Sequence, residues 1–213
     1  MLLVAAIDHT RLPSREDLLQ RVLLDVGEKR DTWMRQRESV ARASIVGVLL
    51  LQSLLTSQGC SMEDRLRYDE NGKPYLERSR LPVSLSHSST YAVCALDTEA
   101  GGVSIGVDVE EFSARDCGSM ERIADRWFTE DERSDLQVAP TEDRFLRIWT
   151  GKEAMAKQDG RGLAVLGGCE TVNLPEGMRL TRLSIPRGVV SLYHSSDLCP
   201  RDGVILMDPI DLK

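Results

Sequence analysis

The segment from Gly106 to Glu110, which reads G-V-D-V-E, places two carboxylates at alternate positions of an apolar run. Residues i and i+2 of a strand share a face, so Asp108 and Glu110 are expected to point the same way while the valines face a core. Burying an unpaired carboxylate is costly, and the acidic face must therefore stay solvated, form ion pairs or bind a cation. Taken alone, the segment is better explained as a solvated strand end.

A second candidate segment, Trp149 to Lys157, reads W-T-G-K-E-A-M-A-K. Trp149, Glu153 and Lys157 are four residues apart and share one face of a predicted helix. Together with the first segment they supply three carboxylates and a cation, which suits Mg²⁺ and a phosphate group because Mg²⁺ prefers oxygen ligands. Taken alone, a surface Glu–Lys pair explains this helix face better. Gly151 marks either a close approach to a neighbouring segment or the start of the regular helix.

The third candidate segment, Ser84 to Ser89, reads S-L-S-H-S-S at the end of a predicted strand. Hydroxyl groups, backbone N–H groups and the His87 imidazole suit a phosphate. A Ser–His nucleophile is the competing functional interpretation, but Ser86 and His87 are adjacent in a strand and are expected to point to opposite faces. A polar loop without a function is an equal alternative.

Composition limits the classes of protein to consider. The 213 residues carry a net charge of −7, which argues against duplex nucleic acid as a partner. The five cysteines are widely spaced with no C-x-x-C, so we predict free thiols and a cytoplasmic location. The longest apolar stretch, residues 45–51, is shorter than the roughly 20 residues of a membrane span. Residues 1–7 lack the cationic start of a secretion signal, and we predict no membrane association.

Periodicity and turn residues predict the elements that position these segments. A strand at residues 2–7 precedes a helix from the N-cap Ser14 to about Val26 and a long helix from Trp33 to Ser57. Three further helices are predicted. The first lies around 120–127, the second begins at a capping box formed by Thr129 and Glu132, and the third covers 144–158. The remaining predicted strands cover residues 81–88, 91–96, 103–109, 170–174, 180–184, 189–193 and 204–207.

Strands and helices follow one another in a similar order on both sides of Gly101. This order predicts an α+β protein with two comparable halves, residues 1–101 and 102–213. A site built from both halves would lie between them, where ligand pockets are common.

The order and spacing of the three segments resemble those of the 4′-phosphopantetheinyl transferases, in particular the larger, pseudo-dimeric type. The resemblance extends to the turn Asn71 to Pro74, to Ala41-Arg42 and to Ile123 to Phe128, and it covers roughly residues 29–160. Val83 and Ser84 depart from the Phe and Asn that commonly precede S-H-S in the family, and Gly151 replaces a larger residue. Neither departure removes a charged group.

The resemblance implies a fold of two similar halves, each a small antiparallel sheet with packed helices. Coenzyme A, the substrate, would lie in the cleft between them, with Mg²⁺ or Mn²⁺ held on its pyrophosphate by Asp108, Glu110 and Glu153. The serine of an apo acyl or peptidyl carrier protein would attack phosphorus, and 3′,5′-ADP would leave. Glu153, Lys157 and Asp108 are then the catalytic residues, with Glu153 the first candidate for general base. The residues expected to bind coenzyme A are Lys29, Arg42, Lys73, Ser86, His87 and Lys157.

A net acidic chain needs a local patch to dock an acidic carrier protein. Arg115, Arg122 and Arg126, beside Phe112 and Met120, form a basic–apolar segment that we predict contacts the carrier; an ordinary surface helix is an equal alternative. The resemblance also implies a monomer. Two rival functions remain open from the sequence: a Mg²⁺-dependent nucleotide phosphodiesterase or pyrophosphatase, and a non-catalytic protein that binds coenzyme A or a carrier.

Overall fold

The computed structural model describes residues 1–99, 102–198, 200–208 and 212. The predicted α+β class is confirmed. The helices are α1 (Arg15–Arg21), α2 (Lys29–Arg35), α3 (Glu38–Ser57), α4 (Cys117–Trp127), α5 (Glu130–Val138) and α6 (Glu142–Asp159). The strands are β1 (Leu2–Asp8), β2 (Leu66–Tyr68), β3 (Pro74–Leu76), β4 (Val83–His87), β5 (Tyr91–Asp97), β6 (Gly106–Glu111), β7 (Met178–Ile185), β8 (Gly188–Ser195) and β9 (Pro200–Leu206).

A four-stranded sheet with the order β4-β5-β1-β9 forms the first layer, with β1 antiparallel to β5 and parallel to β9. Strand β1 is apolar from Leu2 to Ile7, in keeping with the burial of both of its faces. Leu3, Ala5 and Ile7 belong to the core that contains α3, whereas Leu2 and Val4 face the second sheet.

The second sheet is antiparallel, with the order β6-β8-β7. Val107 and Val109 of β6 lie in one apolar cluster with Tyr91 and Val93 of β5, so the two sheets share a core. The opposite face of this sheet packs against α6. As a result, the acidic positions of β6 lie between the second sheet and α6.

Helix α3 is the central helix of the first layer. Among the described residues it is the one helix that is long and apolar enough to cross a membrane. The helix extends well beyond residues 45–51, the apolar stretch considered in the sequence, which alone is too short for a membrane span. Its most apolar window is 67% buried inside the fold, which is the pattern of a core helix.

The structure differs from the sequence predictions in detail. Residues 33–57 do not form one helix, because the backbone is extended at Gln36 and Arg37. Arg15 donates to the carbonyl groups that are left free where α2 ends. Residues 170–174 form no strand, because the Thr171 N–H donates to Glu132 instead of to a neighbouring strand. The last strand, β9, lies in the predicted second half, residues 102–213, but joins the first sheet beside β1. The short pair β2 and β3 was missed, and the predicted boundary residue Gly101 lies outside the described residues.

Candidate active site

Close contact between β6 and α6 builds the site. A Cβ atom at Gly106 would lie 1.9 Å from the Ala154 carbonyl oxygen and 2.6 Å from the Gln158 nitrogen, so only glycine permits this approach. A Cβ atom at Gly151 would lie 2.8 Å from the Leu180 side chain, which confirms the close approach predicted there. The two glycines allow α6 to lie directly on the second sheet.

Asp108 lies at the centre of the site and is 2% exposed. Its Oδ1 atom accepts hydrogen bonds from Ser86 Oγ at 2.8 Å and from Lys157 Nζ at 2.6 Å. Lys157 Nζ also donates to Ser86 Oγ at 2.6 Å. Asp108 Oδ2 is buried and has no hydrogen-bond partner among the described residues. The structure therefore brings Asp108, Ser86 and Lys157 together, as the sequence predicted.

The other two predicted acidic residues lie close enough to Asp108 to feel its charge. Burial, and then repulsion from Asp108, raises the pKa of Glu153 to about 8. Burial and the charge of Asp108 also raise the pKa of Glu110, which Arg115 Nη2 contacts at 2.8 Å. Burial is the larger cause of both raised pKa values and the charge of Asp108 the second, and a cation bound beside these carboxyl groups would lower both.

The donor set fits a divalent metal in part. In the described residues no three His, Cys, Asp or Glu side chains are grouped closely enough to hold one ion, and Glu110 is paired with Arg115. Asp108 and Glu153 do fit Mg²⁺, which commonly takes one or two carboxylates and fills its other positions with water and substrate phosphates. The unpartnered Asp108 Oδ2 supports this pair. The three-carboxylate set stays a prediction, and it requires Glu110 to turn from Arg115.

The serine-rich strand β4 joins the two sheets. Ser84 Oγ accepts a hydrogen bond from the Val107 N–H at 3.0 Å, and Ser86 donates to Asp108. Beyond the strand, Glu111 accepts hydrogen bonds from the Thr90 N–H at 2.6 Å and from Ser89 Oγ at 2.9 Å. The Ser86 hydroxyl group is thus hydrogen-bonded to Asp108 and Lys157. These contacts do not include His87, which a Ser–His nucleophile would require. Glu111, which fixes this loop, was not singled out in the sequence.

Basic groups lie beside the acidic cluster. His87 keeps an exposed edge, yet its pKa is lowered because nearby protein displaces water and because Lys157 and His9 repel its charged form. His9 is 2% exposed. Its Nδ1 atom and the Nε atom of Arg42 are both buried and have no hydrogen-bond partner among the described residues. Burial lowers the pKa of His9, and the positive charge of Arg42 lowers it further. No spacing signal in the sequence pointed to His9.

The two remaining predicted ligands of coenzyme A line different cavities. Lys73 and Lys157 line one of about 230 Å³, together with Ser84. Lys29 lies over the Tyr68 ring at 4.4 Å and lines another cavity, of about 440 Å³. The structure therefore does not bring Lys29 into the cluster around Asp108.

Lys152, the residue before Glu153, forms a fully buried ion pair. Its Nζ atom donates to Glu132 Oε2 at 2.7 Å, and neither side chain is exposed. It also donates to the Cys169 carbonyl group. This pair fixes α6 to α5, and on the helix Lys152 projects about 100° away from Glu153.

The predicted docking segment is only partly available to a partner. Arg115 is held by Glu110 and by Glu142, and Met120 is buried. Arg122 and Arg126 are exposed, and the Phe112 side chain is 39% exposed.

Comparison with known proteins identifies the family of the chain. Residues 104–196, which include β6 and α6, match the 4′-phosphopantetheinyl transferase superfamily. The chain is 30% identical over 145 residues to the transferase Sfp of Bacillus subtilis, covering 65% of this chain and 61% of that protein. It is 31% identical over 142 residues to the transferase AcpT of Salmonella typhimurium, covering 64% of this chain and 69% of that protein. With HetI of Nostoc it shares 36% identity over 115 residues, covering 51% of this chain and 46% of that protein.

The alignments leave part of the relatives unmatched, since this chain spans about three-fifths of the length of Sfp. All three relatives are nevertheless 4′-phosphopantetheinyl transferases. The acidic cluster lies inside residues 104–196, which the family model matches. The chain belongs to the 4′-phosphopantetheinyl transferase superfamily.

Proposed function

We propose that this protein transfers the 4′-phosphopantetheine group of coenzyme A to a serine of an apo acyl or peptidyl carrier protein, and releases 3′,5′-ADP. The observation that carries the proposal is the buried Asp108, bound to Lys157 and Ser86 at the seam between the two sheets. Asp108 and Lys157 both lie in the region that matches the superfamily.

The acidic side chains have the chemistry to hold Mg²⁺, with Mn²⁺ as a substitute. Asp108 and Glu153 would hold the ion, and Glu110 would join them after leaving Arg115. When bound, the ion neutralises charge on the pyrophosphate.

The cationic side chains would bind the rest of coenzyme A. Lys157 is already oriented by Asp108 and Ser86, so its ammonium group would donate to a phosphate oxygen with little loss of side-chain freedom. Ser86 and His87 would contact the transferred phosphate. Arg42, and at a greater distance Lys29, would meet the outer phosphate groups. The turn that carries Lys73 would lie near the nucleotide, while the Lys73 ammonium group itself is bound to protein atoms.

Glu153 is our candidate for the general base that removes the proton from the carrier serine. A base must be unprotonated at working pH, and a pKa of about 8 leaves this carboxyl group largely protonated at pH 7 in the metal-free protein. Lowering this pKa by positive charge nearby would prepare Glu153 for the reaction.

We also propose that the carrier docks on the exposed face of α4, through Arg122 and Arg126 beside Phe112. Replacing both arginines by glutamate should raise the carrier KM and leave coenzyme A binding unchanged. Arg78→Glu, an exposed arginine outside this face, is the matched control. An unchanged carrier KM in the double variant would overturn the docking proposal.

The fold suggests how one chain can build the whole site. Each sheet packs against one long helix, α3 or α6, and the acidic cluster lies between strands of both sheets. We propose that the chain is a pseudo-dimer of two similar halves and works as a monomer. Sedimentation at assay concentration tests this, and a stable dimer would contradict it.

Incubation with coenzyme A, Mg²⁺ and an apo carrier, followed by intact mass spectrometry, tests the function. A phosphopantetheine adduct on the carrier serine is expected. Hydrolysis of coenzyme A without an adduct would instead show a phosphodiesterase or pyrophosphatase. Binding without either product would show a non-catalytic protein.

A further inference from the structure

We propose that Lys73 is a positioning residue that caps the C-terminal end of α6 and thereby holds Lys157 and Glu153 in place. Its effect on turnover rests on the proposed transferase function, but its effect on the helix does not. The turn that contains Lys73 was expected to serve the nucleotide, and the contacts assign its ammonium group to the protein.

The contacts of the Lys73 ammonium group join separate parts of the chain. Nζ donates to the carbonyl oxygen of Gln158, in the last turn of α6, and to Ser104 Oγ, just before β6. Ser104 Oγ also donates to the Gln158 carbonyl oxygen at 3.1 Å. Lys73 itself follows the turn between β2 and β3, so one side chain links three segments.

The Gln158 carbonyl is one of the last four of α6, which have no partner within the helix. The C-terminal end of a helix also carries partial negative charge, which favours a cation. An ammonium group at this position satisfies both requirements. Because Gln158 directly follows Lys157, the capped turn is the one that carries the catalytic lysine.

The aliphatic part of Lys73 packs against the residue that ends the helix. Gly160 has a φ angle of 91° and donates to the Ala156 carbonyl at 2.9 Å. A Cβ atom at Gly160 would lie 3.0 Å from Lys73 Cδ, so the lysine stem lies directly on this glycine. Two independent contacts, one polar and one apolar, therefore place Lys73 at the helix end.

The turn that presents Lys73 is itself fixed. Asp69 Oδ1 accepts hydrogen bonds from the Asn71 N–H at 2.9 Å and from the Lys73 N–H at 2.8 Å. The backbone of Lys73 is thus held before its side chain reaches across to α6. Burial lowers the pKa of Lys73, in line with a side chain enclosed by protein.

Hydrogen–deuterium exchange on the ligand-free protein tests the contact without any assay of activity. Lys73→Met should speed exchange of the amides of residues 157–160 by roughly threefold to tenfold, the loss expected for a charge-assisted cap. Ser104→Ala should have a smaller effect in the same residues. Lys73→Arg keeps a cation and should retain most of the protection, and Lys29→Met, a lysine outside the network, should change nothing there.

Steady-state kinetics separates positioning from contact with the nucleotide. Lys73→Met should lower kcat between about tenfold and a hundredfold through misplaced groups on α6, with the KM for coenzyme A changed by less than about threefold. Lys73→Arg should recover most of kcat. Unchanged exchange in residues 157–160, together with a raised KM, would overturn the proposal and return Lys73 to the nucleotide. If the wild-type protein transfers nothing, the proposed function fails while the exchange data still decide the helix contact.

Discussion

Lys152→Met tests the buried ion pair that anchors α6. Both Lys152 and Glu132 are 0% exposed, and their charged atoms are 2.7 Å apart. The substitution leaves the Glu132 carboxylate buried without its cation. Breaking a buried pair by removing one partner costs about 3–5 kcal/mol. Three donors remain on Glu132, namely the Thr129 N–H, the Thr171 N–H and the Thr171 hydroxyl group, so we expect a loss near the lower limit.

Urea unfolding followed by tryptophan fluorescence measures this loss, with the slope m expected to stay constant. Adding Glu132→Gln to Lys152→Met removes the stranded charge and keeps an acceptor for Thr171. The double variant should therefore be more stable than the sum of the two single losses predicts, by roughly 1–3 kcal/mol. Arg147→Met is the control, because its pair with Asp143 is exposed and should contribute less than about 1 kcal/mol.

Two results would refute this reasoning. One is a loss of less than about 1 kcal/mol in Lys152→Met, which would show that the pair is not buried in solution. The other is simple additivity in the double variant, which would show that Lys152 and Glu132 do not interact.

Three further predictions concern the site. Gly106→Ala should separate β6 from α6 and destabilise the protein by more than about 2 kcal/mol in urea unfolding, whereas Gly167→Ala, with no atom within 4 Å of its added Cβ, should have little effect. The folded-state pKa of Glu153 lies above its usual value, so the folded protein holds a proton that the unfolded chain releases between pH 4.5 and about 8. Thermal unfolding of chelator-treated protein should therefore show stability falling as pH rises through this range; Glu153→Gln should flatten the slope, and an unchanged slope would contradict the pKa assignment. Glu111→Gln should weaken the loop at residues 88–90, seen as faster exchange of the Thr90 amide, and unchanged protection would show that the carboxylate does not hold this loop.

Local patterns in the sequence predicted the features that depend on residues close together in the chain. The alternation in G-V-D-V-E placed Asp108 and Glu110 on the acidic face and the valines in the core, as the structure shows. The capping box of Thr129 and Glu132 is present at the start of α5. Gly151 stood out because glycine inside a helix is unfavourable without a packing reason. Of its two interpretations, close approach to a neighbouring segment is the one that the structure shows, since the helix begins earlier, at Glu142.

Contacts between distant segments could not be predicted in the same way. Lys152 pairs with Glu132, twenty residues earlier, and Glu132 also holds the Thr171 N–H, which removes the predicted strand at 170–174. The pairing of β9 with β1 spans nearly the whole chain. Arg115 was assigned to a docking surface, but the fold turns it to Glu110. None of these pairs leaves a periodic signal, since each depends on how separate layers meet.

The most direct test of the central claim compares transfer to an apo carrier by the wild-type protein and by Asp108→Asn, at saturating coenzyme A and over a series of Mg²⁺ concentrations. Asp197→Asn, which changes an exposed aspartate in the same way, is the control. If Asp108 holds the metal and orients Lys157, Asp108→Asn should lower the rate by at least about a hundredfold, and Mg²⁺ should not restore it. A rate within a few-fold of wild type, with the same dependence on Mg²⁺, would contradict the account.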